Sequence, residues 1–377
     1  MKLQSLFAAA IVGAAAIATT SCSNEEHVEG QSATQAEVKF KTNITAMTRS
    51  VTTGSSLKQF KTTAFLKQDN TYNTFMNTVV SQANGEWVTA DKYVWPYNGS
   101  LTFYSVAPST LNTTMPAADD YERVAPTFTF TAASDAANQS DVLYAVNADH
   151  QFTGSLASSI VNVNFRHALS QVVFKAKCEN TQWEVSISDV KVHNLKSSGV
   201  YTLPMQTTAP LTNNDDVRGS WDLADELHSY NTGLESPVKN ISEDVVELTS
   251  SSSLPLLLLP QSTTAWDPKN DPKCAQKGSY FTIRCQLQQK TSDGNKIIIW
   301  PASGVNAYVD IAIPVAVNWE EGKKYTYTFN FKEGAGYIPP TQTEGGNDVV
   351  PGANVLHAVQ FNVTVDDYQN TNSEIRL

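Results

Sequence analysis

The sequence has little of what enzymes and nucleic-acid binders are usually built on. Four cysteines in 377 residues are too few for a scaffold held by disulfides. Lys and Arg number 26 against 37 Asp and Glu, a formal net charge of −11, which argues against binding to a phosphate backbone. None of the six histidines falls in HExxH or a comparable metal spacing, and no G-x-S-x-G elbow, P-loop or GxGxxG is present. The neighbouring acids Asp119-Asp120 and Asp366-Asp367 would point to opposite faces of a strand, a poor arrangement for paired acid and base work. No metal, no cofactor and no enzymatic activity are therefore expected. Beyond the N-terminus no apolar run approaches the roughly 20 residues that cross a bilayer. The run Leu256 to Leu259, after Leu254, is bounded by Pro255 and Pro260 and reads as a buried strand. Long amphipathic helical stretches are also missing.

What is present is strand signal. Val38, Phe40, Thr42 and Ile44 alternate with Lys39, Lys41 and Asn43. The same period of two runs through Val161–Phe165, Tyr280–Leu287, Tyr325–Phe331 and Phe361–Val365. Such alternation predicts antiparallel sheet with one face buried and one wet. Gly, Pro, Asn and Asp fall between the runs as turn formers. The expectation is an all-β chain of two β-sandwich domains: residues 36–183, ending with the strand 167–174, and residues 184–377. Cys274 and Cys285 lie close enough in sequence to bridge neighbouring strands, or all the later cysteines are buried thiols; the spacing leaves both open. Seven tryptophans suit sandwich cores and edges, with sugar-stacking platforms as the alternative.

The N-terminus is separate from this fold. Lys2, the apolar run Leu6 to Ala18 and then Thr19-Thr20-Ser21-Cys22 resemble a bacterial lipoprotein signal, although Thr19 stands where leucine is commonest. The resemblance implies a signal peptide over 1–21, removal at Cys22, and palmitate-type lipid on Cys22 as a membrane anchor. Ser23-Asn24-Glu25-Glu26 resembles the surface-export signal of Bacteroidetes lipoproteins. Residues 22–35 then form a flexible, polar tether.

Five segments taken in order resemble the fimbrillin family of the Bacteroidetes, subunits of type V pili, in its Mfa-like branch. They are Val38–Thr45 with Thr48-Arg49-Ser50; Gly85-Glu86-Trp87 leading to Trp95-Pro96 and Leu101–Pro108; Phe165-Arg166-His167-Ala168-Leu169; Leu257–Gln261; and Trp319–Tyr327. The resemblance implies two transthyretin-like sandwiches, an outer-membrane or cell-surface location in a fimbrium, and other fimbrial subunits as partners. It also implies assembly by strand exchange. An Arg-specific protease would cut between Arg49 and Ser50, the first strand (Val38, Phe40, Thr42, Ile44) would leave, and a neighbour's strand would fill its groove. The sequence accommodates such a cut, because Arg49 is the only arginine before Arg123 and is followed by a small-residue, Gly-containing stretch, the kind of segment proteases reach. A candidate donor is the last strand, Val359, Phe361, Val363 and Val365, which either swings out or stays in its own sheet. The expected function is thus a structural subunit or tip adhesin of a fimbria. The alternative is a surface glycan-binding lipoprotein using exposed tryptophans.

Overall fold

A computed structural model describes residues 36–44, 57–207, 218–248, 255–332, 334, 336–341, 350–355 and 360–367. The signal peptide, Cys22, the tether, Arg49, Ser50 and Val359 lie outside them. Among the described residues the chain is all β, with two single 3₁₀ turns at Ala136–Asn138 and Ala157–Ser159, as the alternating pattern predicts.

The strands run in chain order as β1 (Lys39–Ile44), β2 (Gln59–Gln68), β3 (Thr71–Ala83), β4 (Glu86–Thr89), β5 (Ser100–Ala107), β6 (Asn112–Thr114), β7 (Thr127–Thr131), β8 (Leu143–His150) and β9 (Ile160–His167). They continue as β10 (Ser170–Lys177), β11 (Trp183–Lys196), β12 (Ser198–Thr202), β13 (Ser220–Leu223), β14 (Leu227–Asn231), β15 (Val238–Ile241) and β16 (Val246–Glu247). The last are β17 (Leu256–Leu258), β18 (Tyr280–Lys290), β19 (Lys296–Trp300), β20 (Val309–Pro314), β21 (Lys323–Asn330) and β22 (Gln360–Asp367).

Seven strands close on themselves in the order β1-β4-β3-β2-β5-β8-β9. The remainder form three sheets: β16-β10-β21-β22 with β17 also on β10; β14-β11-β18-β19 with β15 on β11 and β20 on β18; and β13-β12-β7-β6. Local chemistry sets the hairpins. Between β3 and β4, Asn84 and Gly85 both have positive φ, 52° and 84°, the two-residue Asn-Gly turn whose twist matches its flanking strands.

Two cores result. The barrel interior holds Val38, Phe40, Phe60, Val80, Leu101, Phe103, Leu143, Ala145, Val163 and Phe165. The larger core takes Tyr104, Val106, Tyr144 and Val146 from the opposite faces of the same β5 and β8, and packs them with Phe174, Ile187, Phe281, Tyr327 and Phe329. β5 is therefore buried along its whole length, because both of its faces meet a core.

The strand expected to end the first sandwich pairs elsewhere. β10 runs parallel to β21, from Gln171↔Lys324 to Lys177↔Asn330, and antiparallel to β17. By sheet membership the chain leaves the barrel at Ala168-Leu169. Period-two alternation reports that a segment is a strand but carries no record of its partner.

Cys178, Cys274 and Cys285 are free and buried, so no bridge joins Cys274 to Cys285. Burial pushes all three thiols upward, Cys285 most completely. Thiol reagents are expected to label Cys285 only after unfolding; labelling in buffer without denaturant would contradict its burial.

Candidate functional site

The barrel is closed by a short strand that is firmly paired on one side only. β1 pairs parallel with β9 from Lys39↔Ile160 to Ile44↔Phe165, whereas the barrel's other pairs are antiparallel. On its other side it has a single register partner on β4, Phe40↔Trp87. An isolated bridge Glu37↔Val94 and two backbone bonds extend this edge, Val38 N–H to Tyr93 O and Trp95 N–H to Ala36 O, both 2.9 Å. One flank is thus a full ladder and the other a thin seam. No hairpin ties β1 to either neighbour, since β4 and β9 both lie further along the chain.

Its side chains follow the predicted alternation. Val38 and Phe40 are buried, Thr42 and Ile44 half-buried, and Lys39, Lys41 and Asn43 exposed. Phe40 is the anchor. Its ring meets Phe60 edge-on at 5.9 Å and Phe103 edge-on at 6.0 Å. Phe60 in turn contacts Phe165 at 5.3 Å and Trp87 at 5.2 Å. Each of Val38 and Phe40 contributes on the order of 1.5–3 kcal/mol by burial. Without β1, a slot lined by Phe60, Phe103, Val161, Val163 and Phe165 would open to water, and the edge of β9 would lose its backbone partners.

The register has a polar marker the sequence did not suggest. Asn43 Nδ2 donates to Asn164 Oδ1 at 3.0 Å, and the two residues are register partners. Asn164 is buried, so its amide is deprived of water if Asn43 is lost. Asn43→Ala is expected to destabilise the barrel by about 1 kcal/mol in chemical denaturation, well below the effect of losing Phe40. Nothing in the sequence near residue 43 announces this partner, which lies on a strand far along the chain.

The candidate donor occupies a different place. β22 sits at the edge of its sheet, antiparallel to β21, with Val365 opposite Tyr325, Val363 opposite Tyr327 and Phe361 opposite Phe329. Val363 and Val365 are 42% and 55% exposed, although their partners Tyr325 and Tyr327 are buried. So β22 stays at home in this structure, but buries its valines poorly there.

Where barrel and C-terminal sheets meet, a buried polar cluster also went unpredicted. Glu321 Oε1 accepts from the Tyr144 hydroxyl and Oε2 from the Tyr201 hydroxyl, each at 2.7 Å. Tyr201 Oη accepts from Gly219 N–H at 3.0 Å. Beside it His167 Nδ1 and Asp141 Oδ2 lie 2.7 Å apart. Burial drives the Glu321 carboxyl up to about 6, against the two tyrosine hydrogen bonds and the charges of Arg218 and Arg166. The acidic pair Glu320-Glu321 ahead of an aromatic strand was the available signal. No tryptophan is fully exposed: Trp95, Trp266, Trp300 and Trp319 are buried, and Trp87, Trp183 and Trp221 half-buried.

A model of the family described as fimbrillin-like matches residues 48–351. Comparison with curated proteins gives no match. Among solved structures, a fimbrial protein from Bacteroides vulgatus superposes with a TM-score of 0.52 at 14% identity, covering 88% of this chain and 99% of its own. The fimbrial anchor protein Mfa2 from Porphyromonas gingivalis covers 78% of this chain and 91% of its own, at 9% identity and a TM-score of 0.26.

Proposed function

The chain belongs to the fimbrillin-like family, and from that membership we propose that it is a fimbrial subunit of the cell surface, assembled by replacement of β1. In this reading the chain is exported as a lipoprotein on Cys22 to the outer membrane. An Arg-specific protease then cuts between Arg49 and Ser50, β1 departs, and β22 of a second subunit enters its slot. The two-sandwich division belongs to the same proposal, with β10 counted in the C-terminal sandwich.

What supports the reading most is a match between the two strands. β1 reads Val38-Lys39-Phe40-Lys41-Thr42-Asn43-Ile44, and the C-terminal strand reads Val359-Gln360-Phe361-Asn362-Val363-Thr364-Val365. Position for position both are Val, polar, Phe, polar, β-branched, hydrogen-bonding, β-branched. Entering parallel to β9 in the same register, the donor's Phe361 takes the place of Phe40 between Phe60 and Phe103. Thr364 takes the place of Asn43 opposite Asn164. The energetics run the same way. Val363 and Val365 are 42% and 55% exposed at home, so these two valines lose little apolar burial on leaving, and the slot offers the space that buries Val38 and Phe40.

The precursor treated with an Arg-specific protease is expected to be cut early at Arg49 and to form a ladder of bands on denaturing gels run without boiling. Arg49→Gln should prevent both. Phe361→Asp should be cut normally and give no ladder, because a carboxylate in the Phe40 slot has no partner. An undiminished ladder from Phe361→Asp would rule out β22 as the donor, and an uncut Arg49 in the unsubstituted precursor would end the proposal.

A further inference from the structure

We propose that a cleft at the far end of the C-terminal sheets binds a neutral pyranose sugar, an activity independent of strand exchange. The cleft has a volume of about 440 Å³, within the range of small-ligand sites. It lies where β10 and β18 end, β11 begins and β15 finishes, and Trp183 stands in its wall. Its floor is Cys178 and Ile241, both buried.

The two sides of the cleft differ. One is pinned: Asn180 Oδ1 accepts from Gln182 N–H at 3.0 Å, Asn180 Nδ2 donates to Lys332 O at 3.1 Å, and Trp183 N–H bonds Asn180 O at 3.0 Å. This fixes the backbone that carries Trp183 at the cleft wall before any ligand arrives. The other side is the end of β15 and the turn after it, where Asn240, Ser242, Glu243 and Asp244 are all exposed. Asn240 there holds a φ of 57°.

The lining selects its ligand by elimination. Two apolar residues on the floor are too few for a hydrophobic molecule. A phosphorylated or carboxylated ligand would face Glu243 and Asp244, and a cation would share the space with Lys290. Glu184 is already neutralised by Lys296 at 2.6 Å. What fits is a ligand that is uncharged, carries several hydroxyls and has one apolar C–H face. Its hydroxyls donate to Glu243 and Asp244 and accept from Asn240 and Lys290, while its C–H face lies on Trp183.

The test uses the full chain. Glucose, galactose, mannose and N-acetylglucosamine are added singly at millimolar concentration, and saturation transfer from protein to sugar is read by NMR. At least one sugar is expected to receive saturation, strongest at its ring C–H protons. The double substitution Glu243→Gln with Asp244→Asn should weaken that binding by roughly tenfold or more. Asn240→Gly should also weaken it, and glycine accepts the positive φ without strain, so unchanged circular dichroism separates lost binding from lost fold. Trp183→Ala should abolish the saturation and Trp183→Tyr restore part of it. Retardation of the unsubstituted chain in a gel containing a polysaccharide ended by the bound sugar would assign the site to chain ends, and its absence to the free sugar. The proposal is overturned if none of the four sugars is bound, or if every variant binds as well as the unsubstituted chain. Neither result bears on β1 replacement, which the protease experiment tests separately.

Discussion

Phe40→Ala is expected to destabilise the barrel by about 3–5 kcal/mol, the range for deleting a buried phenylalanine side chain. The ring is 7% exposed and lies edge-on to both Phe60 and Phe103. The strand that carries it cannot fill the space by collapse, because its backbone is fixed by the ladder to β9. Denaturant unfolding of the intact chain measures the loss. A second measurement tells an anchor on a removable strand from an ordinary core residue. Once the connection between β1 and β2 has been cut and the strand has left, the Phe40→Ala chain and the unsubstituted chain are the same molecule and should unfold together. Before that, the substitution should hasten departure of the cut strand. At 1.4 kcal/mol per factor of ten, a loss of 3 kcal/mol that falls wholly on departure corresponds to roughly a hundredfold faster uptake of a labelled peptide of residues 359–367. If uptake is unchanged while stability falls, Phe40 holds the barrel together but does not gate exchange.

The alternating residues of β1 made the slot readable in advance: Val38 and Phe40 point in, Lys39 and Lys41 point out, and the structure keeps that order. The partner of β1 was not readable. Parallel pairing with β9 depends on a segment more than a hundred residues downstream, and nothing in a period of two encodes it. For the same reason the alternation does not say which sheet Ser170–Lys177 joins. β5 shows a different limit: with Tyr104 and Val106 in one core and Leu101 and Phe103 in the other, both of its faces are dry, so alternation of apolar and polar residues disappears. The segments that resembled a known family turn out to do architectural work. Ser170 Oγ donates to Glu320 O at 2.8 Å, Gly322 N–H to Leu169 O at 3.0 Å, and Trp319 Nε1 to Tyr327 Oη at 2.9 Å. The Phe165–Leu169 and Trp319–Tyr327 segments therefore meet where the chain leaves the barrel. Both segments hold that bend, while the Trp183 cleft, with no motif of its own, was legible only once strand ends had been brought together.

The Glu321 cluster at that bend leads to the second large expectation, in which the sign of the pH dependence decides. The carboxyl's folded value of about 6 lies above its ordinary 4.5. Between those two values the folded chain holds a proton that the unfolded chain has released. Glu321 therefore favours folding most at acid pH, and this contribution declines as pH rises through 6, by on the order of 2 kcal/mol. Glu122, Glu179, Asp267 and Asp293 have lowered values from hydrogen bonds and neighbouring lysines and push the opposite way, so the total profile does not isolate one residue. The difference between the unsubstituted chain and Glu321→Gln does. Glutamine keeps an acceptor for one tyrosine hydroxyl and cannot titrate, so the two stability curves should converge at neutral pH relative to their separation near pH 4.5, or cross. Glu321→Ala behaves differently. It leaves the buried hydroxyls of Tyr144 and Tyr201 without their acceptor, at about 1–3 kcal/mol each, and removes a side chain that binds β8 of the barrel and β12 together through hydrogen bonds to both. Denaturant unfolding at pH 4.5 and pH 7 should show Glu321→Ala weaker at both values and Glu321→Gln weaker chiefly at the lower. If Glu321→Gln runs parallel to the unsubstituted chain across this interval, the carboxyl keeps its ordinary value in the folded chain, and the tyrosine hydrogen bonds offset the effect of burial.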